Sequence, residues 1–207
     1  MEIDPKDYDG FYNVMKAIVV PRPIAFISSV SEAGEVNLAP YSFFNAVCYN
    51  PPTIIVSIQR QTPDKSKDTL ANIEATGEFV VNVVTQDITE AMNMTSAEYP
   101  SDINEFDVSG LTQISSVGVK APRVKDSPIN MECALNQVVE IGPPGKSYGL
   151  VIAEIKLLHI RDDLIDGYHV KQEALNMVGR LGGRSYVRVE NIFDMTMPIY
   201  KPDEAAE

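Results

Sequence analysis

The sequence offers little to metal, thiol or hydrolytic chemistry. Of its 207 residues two are histidine (His159, His169), two are cysteine (Cys48, Cys133) and none is tryptophan. Two separated histidines cannot build a His-rich metal site, and no Cys-x-x-Cys is present. No Gly-x-Ser-x-Gly elbow occurs, and no Gly-x-Gly-x-x-Gly follows a strand, which removes support for a hydrolase of that kind and for a Rossmann site. Gly145-Lys146-Ser147 ends like a phosphate loop, but the position that pattern reserves for its first glycine is Glu140. Pro143 and Pro144 also remove N–H donors, so the stretch reads as a hairpin turn. No run approaches the ~20 apolar residues of a membrane span. Met1 to Asp7 mixes charges of both signs and lacks an apolar core, so no signal peptide is expected. The expected setting is cytoplasmic and reducing, with both thiols free and buried and the Asn93-Met94-Thr95 sequon without meaning.

Positive charge is also scarce, and the formal net charge is -12. Such a chain repels a nucleic-acid backbone and an anionic membrane surface, so neither is an expected partner. A phosphorylated ligand would need a local cationic pocket inside a negative molecule.

What is present is a hydrophobic fraction of 44%, ordinary for a packed core. The expectation is a single domain over 1–207, able to bury roughly 70% of its unfolded surface without a staple. Strand signals dominate: Ile24 to Val30, Val36 to Pro40, Thr53 to Ile58, Phe79 to Val84, Met131 to Ile141 and Tyr148 to Ile160. The last two read as a long hairpin about Gly142-Pro-Pro-Gly145. Asp68 to Gly77 predicts a helix with Asp68 or Thr69 as its cap, Leu70 and Ile73 on one face, and Gly77 as its stop. Further helix is expected over 86–96 and near Asn104 to Phe106, and Lys201 to Glu207 reads as a frayed tail. The fold class is mainly β with inserted helices, a small barrel rather than an alternating parallel sheet.

Four segments carry candidate chemistry. Lys65-Ser66-Lys67-Asp68-Thr69 stands at the mouth of the helix, where unpaired N–H groups, two lysines and a hydroxyl make a monophosphate seat. The same residues also serve as a capped helix start with solvated lysines, and both readings stay open. Ala39-Pro-Tyr41-Ser42-Phe43-Phe44-Asn45 sets polar groups among aromatics, as a flat π-ligand with amide-like edges requires. Arg22, held between Pro21 and Pro23 ahead of a core strand, favours an anion-contacting role over a solvated one. In Arg180-Leu-Gly-Gly-Arg-Ser-Tyr186 the paired glycines permit close approach, and Tyr186 suits either a ring contact or loop packing.

These motifs occur in a fixed order: Pro21-Arg-Pro-Ile-Ala-Phe26, Asn37-Leu-Ala-Pro-Tyr-Ser-Phe-Phe-Asn45, Asn50-Pro-Pro52, Lys67-Asp-Thr69, Glu78-Phe-Val-Val-Asn82 and Arg180-Leu-Gly-Gly183. Together, from about Tyr12 to Tyr186, they resemble the flavin reductase-like FMN-binding split-barrel proteins, the branch that includes flavoredoxin. The resemblance implies a six-stranded Greek-key split barrel and a homodimer with FMN near the subunit interface. It implies that Ser42, Phe43, Phe44 and Asn45 line the isoalloxazine and that Lys67 and Thr69 hold the phosphate, with Ser57 close by and Arg22 and Tyr186 nearby. Tyr41, Lys65 and Asp68, adjoining these, complete the set of cofactor-binding candidates. The stretch from Glu98 to Asp126 matches an insertion bordering the active site.

With a flavin present, hydride passes directly from NADH or NADPH to the ring, and no acid, base or nucleophile is demanded of the protein, so no catalytic residue is named. The implied activity is NAD(P)H:flavin oxidoreduction, feeding a partner monooxygenase. The alternatives are a flavoredoxin-like electron-transfer protein that keeps its FMN and takes electrons from another protein, and a ligand binder without enzymatic activity.

Overall fold

A computed structural model of the chain describes residues 1–62 and 65–200. The side chains of residues 61, 62 and 65 lie outside that description, as does the expected tail 201–207, so the reading of Lys65 falls there too. The N-terminal half runs α1 (Phe11–Ile18), β1 (Ala25–Val30), β2 (Val36–Tyr41), β3 (Phe44–Tyr49), β4 (Pro52–Thr62), β5 (Lys65–Ser66), α2 (Asp68–Thr76) and β6 (Glu78–Val83). Then come α3 (Thr89–Met94), α4 (Glu105–Ser109), β7 (Gln113–Ile114), β8 (Arg123–Val124), β9 (Ile129–Ile141) and β10 (Tyr148–Ile160). Short pieces close the described chain: β11 (Ile165–Asp166), β12 (His169–Val170), α5 (Gln172–Leu175), β13 (Val178–Arg180) and β14 (Tyr186–Arg188).

One antiparallel sheet dominates, in the order β2-β1-β6-β9-β10-β4-β3, with β5 paired to β4. It holds eight strands where six were expected. The extra long strand is β3, whose residues the sequence presents as an aromatic ligand-contacting stretch rather than as an alternating strand. The ladder ends on β2 and β3, consecutive in the chain and joined only by Ser42-Phe43. At that seam the Ser57 amide donates to the Phe43 carbonyl at 2.8 Å. The split in the barrel therefore lies beside Ser42 and Phe43.

Two apolar clusters explain why β1 is apolar almost throughout. Ala25 and Ile27 face an inner core shared with Ile54, Val56, Ile58, Phe79, Val81 and Val151, which α2 plugs with Leu70 and Ile73. Phe26 faces the other way, toward a second cluster with Leu38, Met92, Phe106, Val124 and Val178. Helices α3 and α4 cover that side. The Gly77 stop adopts the left-handed φ of 72°, as the helix end requires. The N-terminal cap is a correction: Lys67 holds that position with no side-chain cap bond, so neither Asp68 nor Thr69 supplies one.

The hairpin about Gly142 and Gly145 forms as expected, at φ 101° and 80°. Cys133 is buried, and burial pushes its thiol up to about 12, which leaves it inert. Cys48 is exposed, against expectation. Its apolar neighbours suggest burial, but β3 pairs on one side only.

Two buried polar hubs tie the insertion to the sheet. Asn82 donates to the Phe26 carbonyl and accepts from the Val124 amide and from Asn130, at 2.9 Å each. Glu132, wholly buried on β9, accepts from the amides of Val117 at 2.8 Å and Gly118 at 2.6 Å and pairs with His159 at 2.6 Å. Burial alone would raise this carboxyl, but the two amides and His159 outweigh it and hold it below its ordinary range. A depressed folded-state pKa contributes stability that is complete above the unfolded value of about 4.3 and is lost as pH falls through the folded value. The urea midpoint of the native protein should therefore fall between about pH 5 and pH 3. Glu132→Gln should be less stable at pH 7 and show a flatter acid limb; an unchanged limb would exclude Glu132 as its source.

Candidate functional site

Arg22 precedes β1 and is 6% exposed. A buried guanidinium must spend its donors, and this one spends them on four separate partners. Nη1 donates to the carbonyls of Lys16 at 2.6 Å and Val19 at 2.7 Å, Nη2 to Leu181 O at 2.9 Å, and Nε to Ser42 Oγ at 3.2 Å. Its backbone also exchanges bonds of 2.8 and 2.9 Å with Arg180. One side chain thus fastens the end of α1, the seam residue Ser42 and the glycine loop after β13. The anion-contacting role expected for Arg22 is corrected to this extent: most of its donors are committed to the protein. Burial, then the neighbouring charge of Arg180, lower its pKa, and no carboxylate among the described residues bonds it.

These fastened pieces enclose a cavity of about 350 Å³. Its cations are Lys16, Arg22, Lys67 and Arg180, and no aspartate or glutamate is among the described residues that line it. Its aromatic surface is Tyr12, Tyr41, Phe43, Tyr148 and Tyr186. Phe43 and Tyr148 stand nearly parallel, 27° apart with centroids at 6.3 Å. Lys16 lies 3.9 Å above the Tyr12 ring, and Arg180 lies 4.3 Å from the centre of Tyr186. Tyr186 donates to Asn93 Oδ1 at 3.2 Å, joining β14 to α3. Burial pushes the Tyr41 phenol up to about 12, and burial with the adjacent Tyr12 does the same to Tyr148. Both stay neutral at ordinary pH and are unsuited to moving protons.

The cavity brings together Arg22, Tyr41, Ser42, Phe43, Ser57, Lys67 and Tyr186 from the expected set. Four others, Phe44, Asn45, Asp68 and Thr69, lie outside it. Phe44 turns inward against the core because strand alternation reverses it relative to Phe43. Asn45 is exposed, its Oδ1 accepting the Ala46 amide at 2.9 Å. Thr69 is buried, and its hydroxyl oxygen accepts from Asn37 at 2.7 Å and Tyr41 at 3.0 Å. Asp68 lines an adjoining cavity of about 410 Å³ that shares Tyr41 and Lys67 with the first and carries Glu98 and Glu105. Glu98 pairs with Lys67 at the junction, so the insertion does reach the site.

Tyr12, Lys16, Gln59, Asn93 and Tyr148 also line the cavity and were not anticipated from sequence. A signal existed for two of them, since Tyr12 and Lys16 are four apart and share a helical face. Gly182 permits the fit of α1 here, because a Cβ there would stand 3.0 Å from Ala17. Among the described residues no cluster of side chains could hold a metal, and no helix is long and apolar enough to cross a membrane.

Comparison with known proteins gives a consistent set. The family described as Flavin reductase like domain matches residues 15–174. An uncharacterized protein of Aquifex aeolicus (strain VF5) is 38% identical over 191 residues, 91% of this chain and 95% of its own. Nitrilotriacetate monooxygenase component B from Bacillus cereus shares the structure with a TM-score of 0.91 and 33% identity, covering 94% of this chain and 98% of that one. The 2-nitrobenzoate 2-nitroreductase NbaA of Pseudomonas fluorescens gives 0.87 and 31%, covering 98% of both chains.

Arg22→Lys keeps the charge but loses the planar fork, leaving buried carbonyls unpaired. It should lower stability by about 2–4 kcal/mol, read from urea unfolding. A loss below ~0.5 kcal/mol would mean that water replaces the clamp.

Proposed function

The chain belongs to the flavin reductase like domain family, and from that premise we propose that it binds FMN in the cavity beside Arg22 and reduces it with NADH or NADPH. The observation that carries this reading is a lining with four cations and no carboxylate inside a protein of net charge -12. Lys67 is shared with Glu98 at the junction, and the remaining excess of positive charge beside aromatic walls suits a ligand that is anionic at one end and flat at the other. Lys67, at the start of α2, and Lys16 would hold the phosphate, helped by the helix N-terminus. Phe43, Tyr148 and Tyr186 would form the wall for the ring, and the hydroxyls of Ser42 and Ser57 its polar edge. The carboxylates of Asp68, Glu98 and Glu105 beyond Lys67 oppose a second phosphate, which favours FMN over FAD. The flavin, when bound, supplies a two-electron acceptor for nicotinamide hydride. The chain's own work is to exclude water, hold two rings in contact and keep its phenols neutral.

The same reading includes a homodimer. Outward-facing residues of β4, β10 and β9 include Ile55, Leu150, Ile152, Val139 and Ile141, beside Val47 and Tyr49 on β3. Ser57, Gln59 and Tyr148 belong to that face and also line the cavity. The likeness to a monooxygenase component favours a partner monooxygenase as consumer of the reduced flavin. The likeness to a nitroreductase favours a second reading, with a nitroaromatic as acceptor. A third has the FMN retained and electrons taken from a redox protein, whose basic surface would complement this acidic one.

The absorbance spectrum of purified protein, followed by anaerobic NADH or NADPH, tests the central claim. Flavin bands that bleach rapidly support the reductase. Bands that persist favour the electron-transfer reading, and no bands even with added FMN overturn both. Lys67→Ala should weaken FMN by ~1.5–3 kcal/mol, or about 10- to 150-fold in Kd. An unchanged Kd would move the phosphate elsewhere. In light scattering the native protein should weigh two chains and Ile152→Lys one; a monomeric native protein would end the dimer reading.

A further inference from the structure

Residues 189–200 follow β14 without helix or strand, and every one of them is exposed. The Val189 amide donates to the Met177 carbonyl at 3.0 Å, which anchors the start of the segment. A tail evolved for water is polar, since apolar side chains gain nothing from solvation. This one is apolar at Val189, Ile192, Phe193, Met195, Met197, Ile199 and Tyr200. Phe193, Met195, Met197 and Ile199 are 78 to 84% exposed. They alternate with Asp194, Thr196 and Pro198, so an extended chain gathers all four on one edge. Period-two patterning specifies a strand-like segment lying against an apolar surface, and among the described residues none covers it.

We propose that this segment is an exchanged arm, laid by each copy of the chain across the β3-β4-β10-β9 face of a second copy. The inference rests on the dimer reading above. Three observations select a second copy as the occupant. The uncovered face is apolar and bordered by β3, whose outer edge has free backbone groups and where Tyr49 is 93% exposed. The arm leaves from β14, whose Tyr186 lines the same cavity as Ser57 and Tyr148 of that face, yet Phe193, Met195, Met197 and Ile199 stay exposed and do not fold back onto the face of their own chain. The area also matches: Phe193 and Tyr200 alone, at roughly 150–250 Å² each, supply about half of the ~800 Å² per partner that a stable interface needs. Pro198 fits such an arm because one missing donor is tolerated at a sheet edge. The arm would then rim the partner's cavity.

Two variants of the full chain test this beside the native protein. In Phe193→p-benzoylphenylalanine, illumination should yield a covalent dimer, with the cross-link mapped by mass spectrometry to β3, β4, β9 or β10 of the other copy. In Phe193→Ser/Met195→Ser/Met197→Ser/Ile199→Ser, circular dichroism should be unchanged while the dimer dissociates at least tenfold more readily. Cross-links confined within one chain, or native dimer strength in the serine variant while Ile152→Lys is monomeric, would overturn the arm and leave the dimer standing. A native protein monomeric at every concentration would remove the dimer and the arm together.

Discussion

The site depends on one buried guanidinium that bonds carbonyls instead of carboxylates. Arg22 gathers the C-terminal end of α1, the Ser42 seam and the loop at Leu181 around itself, through four bonds of 2.6 to 3.2 Å. Helix α1 has no buried residue at all, so apolar packing alone does not hold it there. A lysine would reach fewer of these acceptors from its single point of charge. Because carbonyl dipoles solvate the charge without cancelling it, the residue that builds the cavity wall also leaves the cavity positive.

That second consequence organises the electrostatics. The protein carries 29 acidic and 17 basic side chains, yet the cavity is lined by basic ones only. The acids are displaced to the adjoining compartment, where Glu98 meets Lys67. Partition of charge over so short a distance produces a steep local field, stronger between low-dielectric walls than on an open surface. The insertion that bears Glu98 is itself fixed to the sheet by the buried carboxylate of Glu132 and the amide of Asn82.

An open ladder has a cost that a closed barrel avoids. The seam between β2 and β3 gives Ser42 and Phe43 access to the cavity, but it leaves β3 with a bare edge and an uncovered face. The apolar arm after β14 is the other half of that problem. For a bare edge beside an apolar segment, association is the ordinary physical remedy.

Local pattern was enough to read six of the long strands, α2 with its Gly77 stop, the β9–β10 hairpin and the helical stretch at α3, because each depends on neighbours within a few residues. The aromatic and polar stretch Tyr41 to Phe43, and the cations Arg22 and Lys67, were legible as candidates because their chemistry stands out in so acidic a chain. The chain alone therefore reveals most of the long strands though not β3, leaves metal and nucleophile chemistry unsupported, and marks the few residues that could meet an anion. Folding in three dimensions is what turns Phe43 to the cavity and Phe44 to the core, brings Thr69 to Tyr41, makes Arg22 a clamp, and completes the wall with Tyr12, Lys16 and Tyr148. These are decided by strand register, by which face is covered and by contacts between residues as far apart as Arg22 and Leu181, and such long-range pairings leave no periodic trace in the chain.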